Sequence, residues 1–313
     1  MKDQLINDII ADLPKDRTLY YYFKDRYALM LLSSAIGEGK TVRAIKQSPF
    51  ARLLDRPLLK QLIANAGSGQ ISQQDLTNLW PVNPLCYRLT VGKWGSEPGA
   101  TWQQTTRSEP NLVLHLNFSN QHDQAYKTLI EHKGLKPFIY HDHPNARAGF
   151  NTLSWVRFDL DLQTNQALIE ELQTDWLRYV KWCAAYVARQ EEAREVVEFA
   201  SVPIRRMDLR RYVTDVIAPH IKLWEQATLS AAVWFLSQEL NIKNIYMHQA
   251  DCGVKLKQIV GKAPPRSLYT DLPKKFCFQP VTVGPEFLYK KASRPFRRLK
   301  KTKELRFWRL DLP

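Results

Sequence analysis

The ten residues Ala167 to Trp176, reading ALIEELQTDW, hold the side chains of this chain best suited to acid–base work. Three acids and a glutamine interrupt what otherwise reads as a buried strand. In extended backbone successive side chains point to opposite faces, so Glu171, Gln173 and Asp175 are expected on one face and Glu170, Leu172 and Thr174 on the other. Carboxylates inside a sheet cost free energy unless they are paired or used. Two readings stay open: a strand end neutralised by the chain's many Arg and Lys residues, or a polar site laid along a strand.

Other constellations carry less. His141-Asp142-His143-Pro144 offers two imidazoles and a carboxylate, but no further histidine stands at ligand spacing, so it reads as a surface loop without metal. Gly37-Glu-Gly-Lys-Thr41 lacks the first glycine of a phosphate-binding loop, since position 34 is serine, and follows a helical pattern where that motif needs a strand. No G-x-S-x-G elbow occurs. Cys86, Cys183, Cys252 and Cys277 are scattered, which fits free buried thiols in a reducing compartment rather than zinc or disulfides.

Charge points to an anionic partner. The 313 residues carry a net +14, and from Tyr289 to Arg309 ten Lys or Arg stand against Glu304 alone. Arg297, Arg298, Lys300 and Lys301 suit phosphate contacts, and Trp308 suits stacking on a base. The same segment equally suits a tail packed against the protein's own acidic strand. A second basic run, Pro203–Tyr212, places Arg205, Arg206, Arg210 and Arg211 on one expected helix face, open to an anion or paired with Glu191, Glu192 or Glu195. With no apolar run near the ~20 residues of a membrane span and no secretory signal, the chain reads as cytoplasmic.

Positioning these residues requires the following elements. Residues 1–80 read as helical, with Thr18 to Ile36 as one helix, shorter ones around Val42–Lys46 and Leu58–Ala66, and Ser72 capping Gln73–Leu79. Strands are expected over Leu85–Lys93, Leu112–Phe118, Phe138–His141, Leu153–Leu160, Ala167–Thr174, Lys243–His248 and Phe276–Val283, with a loop over 95–99. Helices are expected over Asp123–His132, from Trp176 to about Ala200, over His220–Leu240 and over Gly253–Val260. The domain plan is a helical region (1–80), an α/β domain (81–283) with a helical insertion at about 176–219, and a basic tail (284–313).

Glu170-Glu-Leu-Gln-Thr-Asp-Trp176, preceded by the W-V-R-F strand Trp155–Phe158, resembles the E-E-I-Q-S-D-W segment of an uncharacterised family of phage and mobile-element polyproteins. That resemblance brings no activity with it. The order of elements over 111–283 resembles a GNAT-type N-acetyltransferase, in which a central strand feeds a helix whose N-terminal amides hold the pyrophosphate of acetyl-CoA. Ser267 to Phe278 resembles that family's closing Y-x-x-L-G-F element. The resemblance implies N-acyl transfer, with acetyl-CoA as donor, Glu171 as base and Tyr269 as the acid that protonates the leaving thiolate. Burial near Asp175 is then expected to raise the pKa of Glu171, and Glu171→Gln to abolish turnover while keeping the fold. The family's Q/R-x-x-G-x-G/A loop is missing: the expected position holds Pro219-His-Ile-Lys-Leu-Trp224, without glycine. A nucleic-acid-binding protein that uses the basic tail, linked to phage or mobile elements, is the alternative. A scaffold whose acidic strand is closed by that tail is the third reading.

Overall fold

A computed structural model describes residues 1–13, 18–66, 69–95, 104–107, 109–145, 149–261 and 264–313. Residues 96–99 of the expected loop lie outside the described residues. In chain order the first elements are α1 (Asp3–Asp12), β1 (Thr18–Tyr22), α2 (Arg26–Ile36), β2 (Gly39–Thr41), α3 (Val42–Lys46), α4 (Pro57–Asn65), β3 (Gln70–Ser72) and α5 (Gln73–Thr77). The middle of the chain gives β4 (Leu85–Trp94), β5 (Asn111–Asn117), α6 (Asn120–Leu129), β6 (Thr152–Asp161), β7 (Gln166–Gln173) and α7 (Asp175–Ala188). There follow β8 (Val196–Phe199), β9 (Val202–Arg205), α8 (Arg206–Arg211), α9 (Ala218–Trp234), β10 (Asn244–His248) and α10 (Ala250–Leu256). The last elements are α11 (Ser267–Lys275), β11 (Gln279–Val281), α12 (Phe287–Lys290), α13 (Arg294–Lys301) and β12 (Phe307–Asp311).

This is an α/β protein with an eight-stranded mixed sheet flanked by helices, in the order β1-β4-β5-β6-β7-β10-β12-β11. Every neighbouring pair is antiparallel except β7 and β10, which run parallel. A parallel pair needs a long crossover, and α7 to α9 supply it. β5 is buried at every position and β6 and β7 at nearly every one, because both faces of the sheet's middle are covered. Ser154 of β6 hydrogen-bonds Thr228 of α9 at 2.5 Å, so Ser154, Val156 and Phe158 face the larger core with α2, α9 and α11. The opposite face carries a smaller core, where Leu168 and Tyr246 meet Phe287, Phe296, Leu299 and Phe307.

Several expectations change. Thr18–Tyr22 is a strand on β4, not the start of a helix, because alternate tyrosines (Tyr20, Tyr22) are buried while Leu19 and Tyr21 face outward. Phe138–His141 is a turn rather than a strand, and the helix expected to reach Ala200 stops at Ala188. The insertion is a β8–β9 hairpin followed by α8 and a π-helical turn over Tyr212–Ile217. The segment 284–313 is not a free tail: β12 lies inside the sheet between β10 and β11. No described helix is long and apolar enough to cross a membrane.

Candidate active site

β7 and β10 stay paired only as far as Ile169 and Met247. Beyond that point the strands diverge, and Glu170 to Gln173 keep β6 as their strand neighbour. The groups a continued ladder would have paired are met by side chains. Lys257 Nζ donates to the Glu170 carbonyl at 2.9 Å, and the Leu172 amide donates to the Tyr269 hydroxyl at 3.4 Å. Buried main-chain groups need partners of some kind, and here a lysine and a tyrosine serve.

A β-bulge at the same place re-aims the acids. Arg157 stands opposite Glu171 but Phe158 stands opposite Ile169, so Glu170 is the extra residue. Simple alternation would send Glu170 to the face opposite Glu171. Instead it reaches Thr106, whose amide donates at 3.0 Å and hydroxyl at 2.8 Å, and His248 at 3.2 Å, on the side of the smaller core. Burial works against its charge, but His248, Lys257 and Arg157 outweigh that, and its carboxyl stays below the ordinary range. Burial keeps His248 neutral, so Nε2 serves as the donor and Nδ1 is left without a partner.

Glu171 forms an ion pair with Arg157, itself 2% exposed. Burial pushes the Glu171 carboxyl up, but the charges of Arg157 and Lys257 more than reverse this, so it lies below its ordinary value. The expected upward shift does not occur, because the nearest groups are cations. Asp175 is not on the strand at all: it opens α7, behind the N-cap Thr174. Tyr269 is buried on α11, accepts the Leu172 amide, and has its pKa pushed well up by burial. It is not among the residues that line the cleft described next.

Around the free end of β7 lies a cleft of about 1500 Å³ that reaches both faces of the sheet. Trp94, Trp155, Arg157, Glu171 and Gln173 form one wall, and Leu177 and Val180 of α7, Ile221 and Trp224 of α9 and Leu268 of α11 form the other. Ligands of open α/β sheets sit beyond the carboxyl ends of strands where the topology switches, which is this position.

His143, which the sequence offered only as a metal ligand, stands here. Its Nδ1 lies 3.0 Å from both carboxylate oxygens of Asp175, and its side chain is 27% exposed in the cleft wall. Asp175 also accepts from the Trp155 indole at 2.9 Å, from Gln173 at 3.0 Å and from the Arg178 guanidinium. Burial raises its pKa, but the His143 contact, Trp155 and Arg178 hold it below the ordinary range. In the tautomer that carries its proton on Nδ1, His143 donates to the Asp175 carboxylate and leaves the Nε2 lone pair facing outward. Nε2 makes no hydrogen bond among the described residues. The H-D-H-P run looked like a failed metal site, and no group of metal ligands is found among the described residues.

The anion-binding expectations divide. Arg206 is structural: it donates to the carbonyls of Val187, Gln190, Glu191 and Arg194, closing the C-terminus of α7. Arg205, Arg210 and Arg211 are exposed, and Arg211 lies 4.0 Å from Asp215. Arg297, Arg298, Lys300 and Lys301 are exposed on α13, whose Phe296 and Leu299 turn inward. Trp308 is only 7% exposed; it sits in β12 with its indole donating to the Tyr269 carbonyl at 2.8 Å, and cannot stack on a base. The acidic strand is neutralised not by the C-terminal segment but by Arg157 and Lys257.

A pyrophosphate does not fit the start of α7. The helix begins directly after β7 as Thr174-Asp-Trp176 with no glycine, Thr174 Oγ1 takes the Leu177 amide, and the Asp175 carboxylate already occupies the positive helix end. Comparison with family models, curated proteins and solved structures returned no match.

Proposed function

We propose that the cleft is the active site of a GNAT-like N-acyltransferase-type enzyme in which His143, and not Glu171, is the general base. The observation that carries this reading is the pair itself: an imidazole whose Nδ1 is held at 3.0 Å by a buried carboxylate, on the wall of a cleft open to both sheet faces. A cleft with two approaches suits a reaction between two substrates, a donor against the apolar helix wall and an acceptor against Trp155 and Arg157.

The amine nitrogen attacks the donor carbonyl as His143 Nε2 takes its proton. The carbon–nitrogen bond forms, the bond to the leaving group breaks with its electron pair, and the imidazolium returns its proton to that group. Asp175 stabilises the imidazolium without becoming protonated. General-base help of this kind is worth roughly 10²–10⁴-fold in rate. No step uses coenzyme A, whose pyrophosphate has no place at α7. The test is release of 4-nitrophenolate from a 4-nitrophenyl ester in the presence of a primary amine. Saturable turnover that collapses in His143→Ala and falls steeply in Asp175→Asn is expected. Equal rates in the wild type and His143→Ala would refute the assignment.

A second reading, nucleic-acid binding, draws on the four exposed cations of α13, presented together on one outward face. It predicts affinity for oligonucleotides that falls steeply with salt, and charge reversal at Arg297 and Arg298 should abolish it.

A further inference from the structure

The exposed face of α7 continues the cleft outward as a row of rings and cations. Tyr179, Trp182 and Tyr186 stand at i, i+3 and i+7, which places them along one side of a helix. Trp182 is 58% and Tyr186 39% exposed, although surface aromatics usually occur singly. The row is braced rather than loose. Tyr140 stacks on Tyr179 at 6.0 Å, Tyr179 lies 5.6 Å from Trp182, and the buried Phe199 of β8 meets both Trp182 and Tyr186 at under 6 Å. Tyr140, Arg178, Tyr179 and Trp182 line a shallow depression beside the cleft.

Cations flank the rings. Arg178 and Lys181 are exposed on the same helix and Arg189 at its C-cap, and Lys181 and Arg189 form no ion pair among the described residues. Lys181 and Trp182 also line the cleft, so the row leads into it. Of the carboxylates lining the cleft, Glu171 is neutralised by Arg157, which leaves Asp142. Aromatic faces interleaved with positive charge are the physical requirement for single-stranded nucleic acid: every base has a π-face, and the backbone needs cations. From Tyr179 to Tyr186 the helix rises about 10 Å, the length of about three stacked nucleotides.

We propose that this face of α7 is a stacking platform for single-stranded nucleic acid, and that it delivers the end of the strand into the cleft. Delivery into the cleft rests on the catalytic reading above, while binding to the platform does not. Duplex DNA presents its bases edge-on and cannot lay them on the rings, so the platform selects single strands.

The experiment is fluorescence anisotropy of the full chain with labelled oligothymidylates of three to twelve nucleotides and with a duplex of equal length. The expected results are tighter binding of the single strand and a loss of roughly ten-fold or more in affinity for Trp182→Ala. Trp182→Phe should retain most of the binding, and Lys181→Gln should lower the salt dependence by about one counterion. Thermal midpoints establish that each variant is folded, with Trp182→Phe as the variant that keeps the ring packed on Phe199. Wild-type affinity in both Trp182→Ala and Tyr186→Ala would overturn the proposal. So would equal affinity for the duplex, binding lost only on charge reversal of α13, or no binding at all. The ester assay contains no nucleic acid and the anisotropy assay no ester, so failure of the catalytic reading and failure of the platform are separate results.

Discussion

Replacing Glu171 by glutamine should unfold much of this protein's margin of stability rather than switch off a chemical step. The side chain lies against Arg157, 2% exposed, and Lys257, 7% exposed. Glutamine would leave two buried cations beside a neutral amide. Among the partners Arg157 would retain are two neutral acceptors, the Gln104 carbonyl at 3.2 Å and Asn111 Oδ1 at 3.4 Å. Removing one partner of a buried pair costs ~3–5 kcal/mol, and the loss falls at the low end of that range here because the Glu170 carboxylate still faces both cations. Against a net stability of roughly 5–15 kcal/mol that is a large share. In urea it corresponds to a midpoint lowered by ~1–2 M. Replacing both partners, Arg157→Met with Glu171→Met, should cost much less than the sum of the single changes, since a packed apolar pair needs no counter-charge. Urea unfolding of the wild type, the two single variants and the double variant measures this coupling directly. A Glu171→Gln protein within ~0.5 kcal/mol of the wild type, yet inactive, would show that the carboxylate is a base after all and that the ion pair is worth nothing.

Stability should begin to fall at a pH nearer 6.5 than 4.5. Burial holds His115 down to about 4 and His220 to about 3, with His122 and His248 also lowered. The unfolded chain therefore binds protons first, and stability present above 6.5 is lost as pH falls through the folded values, by about 1.4 kcal/mol per pH unit for each histidine. Urea midpoints that stay flat from pH 7 to 5 would contradict this. Arg206→Met should cost ~2–3 kcal/mol and speed amide exchange over 187–191, because four carbonyls at the end of α7 lose their donor. Trp308→Ala should cost ~3–5 kcal/mol in a urea titration through the void left under α11; a variant as stable as the wild type would mean that the indole is not part of the core.

Which parts were legible follows from how local each signal is. β5, β6 and β7 are runs dense in apolar residues that only a two-sided sheet can bury, and they were found within a residue or two. Ser72, with its reciprocal hydrogen bonds to Asp75, marks the start of α5 in the sequence as in the structure. β1 was missed because Thr-Leu-Tyr-Tyr-Tyr runs into the strongly helical Arg26–Ile36 without a breaker. β12 was missed because its five residues follow a dense run of cations, and charge dominated the reading. The acids of β7 were visible, but their partners were not. Arg157 could have been found, since counting back from the Gln163–Asn165 turn sets it across the hairpin from Glu171 to within the bulge's one-residue shift. His143 lies 32 residues before Asp175, in a turn-rich loop, and no spacing rule joins a loop to a helix start.

The sheet's own geometry explains why so many ionisable groups gather here. Where β7 leaves β10, a carbonyl and an amide lose their ladder partners, and water reaching them would open the core. Lys257 closes the carbonyl and Tyr269 the amide. An ammonium buried for that purpose needs negative charge nearby, which Glu170 and Glu171 provide, and Arg157 balances the second acid. Glu170 and Glu171 are thus the counter-charges of a structural plug. Because the gap is already filled, a ligand cannot bind by adding a strand to β7 without displacing Lys257 and Tyr269. It has to be read by the walls of the cleft: the rings of Trp94, Trp155 and Trp224, the cations Arg178 and Lys181, and the imidazole of His143. A Lys257→Met variant separates the two roles. It should leave the Glu170 carbonyl bare and Glu171 with Arg157 alone, lowering stability, while His143, which Lys257 does not touch, keeps its bond to Asp175 and its place in the wall.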